Sequence, residues 1–302
     1  MALIVSYGLG LDSTAMLVEM HNRGMRPDLI LFSDTGGEKP ETYAYLDVIN
    51  AWLRSVGFPE VTVVRYAPAR ADYDTLEGKC LANATLPSLA FGGHSCALVF
   101  KRDVMVQHLK GWAPGLAAVG RGEKIQKCIG YDASQADTRR RNKADKVTLR
   151  ILTQNTLNAD GSVKKFCVEE RAAQGKAPLA DQWEAAHCDF RYLLQDWGLE
   201  RAQLADIIRA AGLPVPGKSA CFFCPATRPS EVVELRLQHP SLYRRAVEME
   251  QLARTGKHGL TTKAGLGMGG WAWEWLADCE RPEDAAEHLK ARGAKIKDAL
   301  RP

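Results

Sequence analysis

Apolar residues near the N-terminus form short continuous runs that alternate with stretches of helical spacing. The continuous runs predict three strands of a sheet covered on both faces: Ala2 to Tyr7, Asp28 to Ser33 and Val61 to Tyr66. The stretches between them, Asp12 to Arg23 and Pro40 to Val56, each have apolar residues on one helical face. Strands that alternate with helices through short links predict a parallel sheet covered by helices.

The rest of the chain is mostly helical in pattern, with a less regular middle part. Helices are predicted at Cys96 to Lys110, Glu200 to Ala211, Ser230 to Gln238, Ser241 to Thr255 and Glu283 to Leu300, and strands at Ile125 to Tyr131 and near Val147 to Thr153 and Val163 to Val168. We therefore expect a Rossmann-like α/β fold with a mostly helical C-terminal extension. Residues 1–195 would form the nucleotide-binding domain, with a basic insertion at about 112–182, and residues 196–302 the extension.

The composition is that of an ordinary globular protein, with 46% hydrophobic residues among 302. No apolar stretch approaches the ~20 residues of a membrane-spanning helix. The first residues lack the basic start of a signal peptide, which predicts a cytoplasmic protein with reduced cysteines. The eight cysteines are then more plausibly core residues or metal ligands than disulfides.

The positive charge of the chain is concentrated in one segment. The formal net charge is +4, but residues 121–150 alone carry +5 through nine basic and four acidic residues. Such a segment suits a polyanion such as DNA or tRNA. A solvated loop is the alternative interpretation.

The first candidate site lies between the first strand and the first helix, from Ser6 to Ala15. Glycines there allow a sharp turn that brings backbone N–H groups close to an anion, and the helix start adds free donors. The candidate nucleotide-binding residues are Ser6, Gly8, Gly10, Asp12, Ser13 and Thr14. A glycine-rich turn that binds nothing is the alternative.

This segment resembles the pyrophosphate-binding PP-loop of the adenine-nucleotide α-hydrolase superfamily. Ser33 to Tyr43 is similar to the D-T-G-x-x-x-x-E-T segment of the phosphoadenylyl-sulfate reductase family within it. The resemblance implies ATP as the ligand, with its pyrophosphate held by Gly8 to Ser13 and its nucleoside near Asp34 and Thr35. Both segments follow predicted strands, where ligands of parallel sheets bind.

A set of cysteines extends the resemblance to reductase-like members of bacteria and phages. The similar segments are His94 to Lys101, Tyr192 to Leu199 and Ala210 to Pro225. Cys221 and Cys224 form a C-x-x-C pair, which is half of a typical zinc or iron–sulfur site. With Cys96 they give three ligands, and the fourth is Cys188, Cys128 or no protein residue. We expect a [4Fe–4S] cluster, with Zn²⁺ or a metal-free reduced pair as alternatives.

The resemblance implies an ATP pyrophosphatase that adenylates its substrate and supports sulfur transfer, as in DNA phosphorothioation. Asp12 would hold Mg²⁺, and Lys101 and Arg139 would stabilise the charge that develops on phosphate. A partner cysteine desulfurase would supply the sulfur. A homodimer is compatible with such a protein.

Two other functions compete with this one. The first is a thiol-dependent reductase of phosphoadenylyl sulfate, although Asp12 followed by Ser13 favours ATP cleavage in this superfamily. That reductase family usually ends in a catalytic cysteine motif, which Cys279 does not match. The second is a nucleotide- or nucleic-acid-binding protein with a structural zinc site and no turnover.

Overall fold

The chain folds into two compact units. The computed structural model describes residues 2–153, 180–255, 265–294 and 296. The first unit comprises Met1–Ser33, Pro40–Val64 and Arg102–Ser219, and the second comprises Asp34–Lys39, Arg65–Lys101 and Ala220–Pro302. This division differs from the predicted boundary after residue 195. The segments that follow the second and third strands pack with the C-terminal helices in one core, and sequence continuity does not reveal such packing.

The first unit is built on a five-stranded parallel sheet, which confirms the predicted α/β, Rossmann-like class. Its strands are β1 (Leu3–Tyr7), β2 (Leu29–Asp34), β3 (Val61–Arg65), β4 (Ile125–Ile129) and β5 (Cys188–Arg191). Their spatial order is β3-β2-β1-β4-β5. The central strand β1 pairs on both sides, so that Val5 is in register with Ile30 of β2 and with Cys128 of β4.

Helices cover both faces of this sheet. Their bounds are α1 (Leu11–Asn22), α2 (Pro40–Ser55), α5 (Asp103–Leu109), α6 (Ala113–Gly120), α7 (Gln135–Thr153), α8 (Ala180–His187), α9 (Leu193–Asp196) and α10 (Arg201–Ala210), where α3 and α4 are the helices of the second unit given below. Alternate strand residues point to opposite faces. Val5 and Tyr7 pack with α1 and α10, whereas Ile4 packs with α5 and α8.

The second unit is mostly helical and has its own apolar core. Its helices are α3 (Leu76–Ala82), α4 (Ser95–Ala97), α11 (Pro229–Gln238), α12 (Pro240–Thr255) and α13 (Ala285–Ala291), with 3₁₀ turns at Ser88–Phe91, Trp273–Leu276 and Pro282–Asp284. Trp271 and Trp273 are fully buried in this core beside Phe100 and Phe223. The tryptophans therefore pack within the unit.

One predicted strand is wrong. Val147 to Thr153 is rich in β-branched and apolar residues, but it is the last part of α7. Most of residues 135–146 are good helix formers (Gln, Ala, Arg and Lys), and adding a residue to an existing helix costs much less than starting a new one. The helix therefore continues through the β-prone residues.

Other elements differ from the predictions in extent or were not predicted. The predicted helix from Cys96 to Lys110 is interrupted by a π-helical turn at Leu98–Arg102. The last helix ends at Ala291, where Gly293 adopts a left-handed φ of 78° that favours helix termination. Helices α3, α6, α8 and α9 and the short strand β5 were not predicted. The predicted strand near Val163 to Val168 lies outside the described residues.

No helix within the described ranges is long and apolar enough to cross a membrane.

Candidate functional site

A cavity of about 420 Å³ opens where β1 and β4 end in the first unit. After β1 the chain builds the sheet in one direction through β2 and β3, and it then returns to the other side of β1 with β4. Parallel sheets leave a crevice at such a reversal, outside the carboxyl ends of the two strands. The volume lies in the range of small-molecule sites. The topology therefore places a ligand-sized cavity beside the predicted loop.

The loop from Tyr7 to Leu11 turns the chain from β1 into α1. Leu9 adopts a left-handed φ of 56° and is buried, so that its side chain holds the turn in place. Helix α1 then begins after Gly10, which has no side chain to cap it. The first intrahelical bond runs from the Thr14 N–H to the Gly10 carbonyl, 3.1 Å away. The amides of residues 11–13 precede that bond, and the first turn of a helix attracts anions.

Two hydroxyl groups stabilise the loop from within. The Gly8 N–H donates to Ser13 Oγ at 3.2 Å, and Ser13 Oγ donates to the Gly10 carbonyl at 3.4 Å. The Thr14 hydroxyl is buried and hydrogen bonds to the Tyr7 hydroxyl at 2.9 Å. Burial raises the pKa of Tyr7. Thr14 thus stabilises the loop from the protein interior, through its buried hydrogen bond to Tyr7, whereas Ser13 lines the cavity.

Charged side chains of both signs line the cavity. They are Asp12, Asp137, Arg140, Arg201 and Lys218. Arg201 Nη1 donates to both carboxylate oxygens of Asp12, at 2.9 and 3.0 Å. Arg140 Nη1 donates to Asp137 Oδ1 at 2.9 Å. Three cations against two carboxylates, together with the start of α1, favour an anionic ligand.

The Asp12 carboxyl is held in an unfavourable environment for its charge. Burial is the main factor that raises its pKa, and the carboxylates of Asp132 and Asp137 raise it further. The guanidinium of Arg201 acts in the opposite direction. Ionised Asp12 therefore benefits from any cation within reach.

The segment after β4 fixes the acidic side of the cavity. The Asp132 carboxylate accepts the Ser134 N–H at 2.8 Å, and the Asp132 N–H donates to Asp137 Oδ2 at 3.2 Å. Gln195 Nε2 donates to the Asp132 carbonyl at 2.9 Å. These bonds hold the start of α7, and with it Arg140, at the cavity.

The structure places most of the predicted nucleotide-binding residues at the cavity. Ser6, Gly8, Gly10, Asp12 and Ser13 line it. Arg139 does not: it is exposed and donates to Gln135 Oε1 at 3.0 Å, while its neighbour Arg140 faces the cavity. Arg201 and Lys218 were not predicted. No local pattern marks Arg201, because its partner Asp12 lies 189 positions away.

Asp34 and Thr35 belong to the second unit, where both are buried. Asp34 accepts the Gly36 N–H at 2.8 Å, and Arg65 Nη2 lies 2.8 Å from its other oxygen. The Thr35 hydroxyl lies 3.0 Å from Cys221 Sγ, within hydrogen-bond reach. Both side chains thus have partners within their own unit.

The predicted cysteines are distributed over both units. Cys221 and Cys224 share a turn in the second unit, where the Cys224 N–H donates to the Cys221 carbonyl at 2.9 Å. Cys96 packs against the core of the same unit. Cys188 is buried in the first unit, in β5, and burial raises its pKa to about 12. Cys128, the other candidate fourth ligand, is buried in β4 and has its pKa raised to about 12 in the same way.

The thiol of Cys221 is kept in its neutral form. Burial and the Glu38 carboxylate raise its pKa to about 12, against the opposing effects of Lys101 and of the Thr35 hydrogen bond. Lys101 is exposed in the π-helical turn of the second unit. The role that the structure gives its positive charge is to lower the pKa of the Cys221 thiol, against the larger effect of burial.

The described residues contain no group of three or more His, Cys, Asp or Glu side chains arranged to hold a metal ion. Within the second unit, Cys96, Cys221 and Cys224 accordingly do not form such a group among the described residues. Mg²⁺ needs fewer protein ligands than such a metal group, since it is usually held by one or two carboxylates together with the phosphates of a substrate.

Comparisons of the chain with protein-family models, with curated proteins and with solved structures found no match.

Proposed function

We propose that this protein is an ATP pyrophosphatase that transfers AMP to a substrate and releases pyrophosphate. One observation carries the proposal: the PP-loop-like segment meets a cavity at the ends of β1 and β4 that is lined by Arg140, Arg201 and Lys218. The start of a helix and three cations suit the three phosphates of ATP better than a neutral ligand.

The reaction needs charge stabilisation more than a protein nucleophile. An oxygen of the substrate attacks the α-phosphorus, and the bond from that phosphorus to the bridging oxygen of the β-phosphate breaks. Pyrophosphate leaves with the negative charge that develops on this oxygen. Amides of the first turn of α1 and the cavity cations are suited to stabilise that charge.

Asp12 is the residue best suited to a divalent cation. Its carboxylate lies at the cavity, and burial together with neighbouring carboxylates makes a cation favourable there. Mg²⁺ bound by phosphate oxygens and this carboxylate would neutralise charge on the leaving pyrophosphate.

The experiment is an assay of pyrophosphate release from ATP, with DNA or tRNA as the acceptor, for the wild type and Asp12→Ala. We expect the substitution to lower the rate by about 100-fold or more, because it removes a charge that acts on the transition state. Asp206→Ala is the matched control, because Asp206 is an exposed aspartate of α10 whose side chain pairs with Arg209. Equal rates for Asp12→Ala and the control would remove the loop from the mechanism.

The pyrophosphate assay, together with assays of ATP binding and of sulfite release, separates the competing functions. A reductase would instead release sulfite from phosphoadenylyl sulfate in the presence of a thiol. A binding protein without turnover would bind ATP and release neither product. Either outcome overturns the proposed activity.

Sulfur transfer is the second stage of the proposal. A cysteine persulfide, formed with sulfane sulfur from a desulfurase, attacks the adenylated atom of the substrate, and AMP leaves with the electrons of the broken bond. The neighbouring thiol then releases the transferred sulfur by forming the Cys221–Cys224 disulfide, which an external thiol reduces for the next turnover.

Sulfur transfer is supported by the paired thiols of Cys221 and Cys224 and rests on the resemblance. No step of this stage is routed through a metal group. Purification without oxygen, an iron, sulfide and zinc assay, and ³⁵S transfer from cysteine through a desulfurase test this stage. Absence of ³⁵S transfer to the acceptor would contradict this stage, whatever metal the protein contains.

A nucleic acid is the proposed acceptor, and the basic face of α7 supports it. Arg121, Lys124, Lys127 and Arg141 of the basic segment each pair with an acidic residue. Arg139, Lys143 and Lys146 are exposed. Together with Arg140, which is also exposed but pairs with Asp137, they lie within about 120° of the helix circumference, at 100° per residue. Arg140, at one side of this basic face, lines the cavity. A phosphate backbone along it would bring a nucleotide to the site of adenylation.

The acceptor is tested by the salt dependence of DNA and tRNA binding. Replacing Arg139, Lys143 and Lys146 with Gln should reduce the slope of log affinity against log salt by about 3, because each phosphate contact contributes about 1. The control replaces three exposed cations elsewhere, Arg70, Arg244 and Lys290, with Gln. Equal slopes for the two triple variants would exclude the α7 face.

A further inference from the structure

The ion pair between Arg201 and Asp12 joins two parts of the chain at the candidate cavity. Arg201 is the first residue of α10, and Asp12 is in the first turn of α1. Both side chains line the cavity, and a single nitrogen, Nη1, contacts both oxygens of the carboxylate. The two charges therefore satisfy each other at the cavity.

We propose that Arg201 is a phosphate-binding residue that exchanges Asp12 for a phosphate oxygen when the nucleotide enters, which leaves Asp12 to a divalent cation. The inference rests on the proposed function, because it assigns a role within the same site. It adds a residue that the PP-loop motif does not contain.

The exposure of the Arg201 side chain keeps the free-energy cost of its change of partner low. The Arg201 side chain is 62% exposed, so its bond with Asp12 competes with water and contributes little. A guanidinium also binds phosphate well, through charge and planar geometry. An incoming triphosphate is thus a stronger partner for Arg201 than the carboxylate it replaces.

The exchange is more demanding for Asp12. Its side chain is only 27% exposed, and Asp132 and Asp137 lie close enough to oppose its charge. When Arg201 leaves, another cation must take its place. A divalent ion that arrives with the nucleotide meets this requirement, so that cation and nucleotide binding become coupled.

The backbone around Arg201 allows the exchange without a change of fold. The side chains and backbones of Glu200 and Gln203 form a capping box that fixes the start of α10. Leu204 and Ile208 of the same helix are fully buried in the core with α1. The helix is thereby held in place, while the long side chain of Arg201 remains mobile enough to change partner.

The proposal predicts opposite effects for the two members of the pair. Without metal, Arg201→Ala should weaken nucleotide binding by about tenfold or more, because it removes a charged hydrogen bond to phosphate. Asp12→Asn should strengthen binding under the same conditions, because Arg201 no longer has a competing partner. With Mg²⁺ present, Asp12→Asn should lose most of the gain in affinity that the ion gives the wild type.

The experiment is a calorimetric titration with α,β-methylene-ATP, which cannot be cleaved at the α-phosphate, in EDTA and in Mg²⁺. Arg209→Ala is the control, since Arg209 is an exposed arginine of α10 whose side chain is paired with Asp206 at 2.7 Å. If Arg201→Ala and Arg209→Ala bind alike, or if Asp12→Asn weakens metal-free binding, the exchange is overturned while the proposed function stands. A wild type that does not bind the analogue would overturn both.

Discussion

Gly130, which directly follows β4, lies close to the loop that leads into α1. A Cβ atom at this position would lie 2.9 Å from the Ser13 nitrogen and 3.0 Å from the Ser13 Cα. These are backbone atoms of α1 and cannot rotate away. The absence of a side chain at Gly130 thus lets the chain after β4 approach the start of the helix.

Gly130→Ala is expected to destabilise the protein by about 1–3 kcal/mol, because the added methyl group overpacks this contact. It should also slow pyrophosphate release, because α1 and its amides must move. Urea unfolding and the pyrophosphate assay measure the two effects. Gly120→Ala is the control, since a Cβ there meets no atom within 4 Å and lies at the end of α6. Indistinguishable stabilities and rates for the two variants would contradict the close contact.

At the scale of elements, a buried carboxylate of α12 holds residues 265–274 in the second unit. Glu250 is fully buried and accepts the N–H groups of Leu266 at 2.5 Å and of Trp273 at 2.9 Å. A Cβ at Gly265 would lie 2.1 Å from the same carboxylate. The buried glutamate therefore fixes where Trp273 enters the core.

Burial raises the pKa of Glu250 to about 7, against the opposing backbone hydrogen bonds and the charge of Arg254. Between pH 4.5, the ordinary pKa of a glutamate, and about pH 7, the Glu250 carboxyl keeps its proton in the folded state. In the unfolded state the same carboxyl has already lost its proton in this pH range. The stability contributed by this site is therefore present at low pH and is lost as the pH rises through that window. We expect the free energy of unfolding of the wild type, relative to Glu250→Gln, to fall by about 2–3 kcal/mol from pH 5 to pH 8.

Urea unfolding at the two pH values measures this difference. Glu248→Gln serves as the control, because it removes an exposed carboxylate from the same helix. Its stability relative to the wild type should not change over this range. A flat profile for the Glu250→Gln comparison would show that Glu250 titrates normally.

At the scale of the whole molecule, the candidate cavity lies within the first unit alone. All its lining residues fall in residues 6–13, 129–140 and 201–219. We expect α,β-methylene-ATP to slow hydrogen exchange in these three ranges, because the ligand covers their amides. The segment held by Glu250 in the second unit provides the internal reference. Protection confined to residues 34–39 would contradict the placement of the triphosphate.

Much of the first unit could be predicted from the sequence. Apolar runs and helical spacing marked β1 to β4, α1, α2 and α10, because these patterns repeat over a few residues. The strand β5 was missed, since it has only four residues and one of them, Asp189, is charged and exposed. Val147 to Thr153 was predicted as a strand because its residues favour strands, but the helix that begins at Gln135 continues through it.

The sequence by itself determined the α/β alternation and the loop from Ser6 to Ser13, because strand period, helix period and glycine positions are local properties. Only the tertiary structure decided which cations line the cavity: Arg140 in place of Arg139, together with Arg201 and Lys218. It also decided that residues 34–39 and 65–101 join the second unit. Packing between segments far apart in the chain sets these choices, and a local pattern carries no information about distant partners.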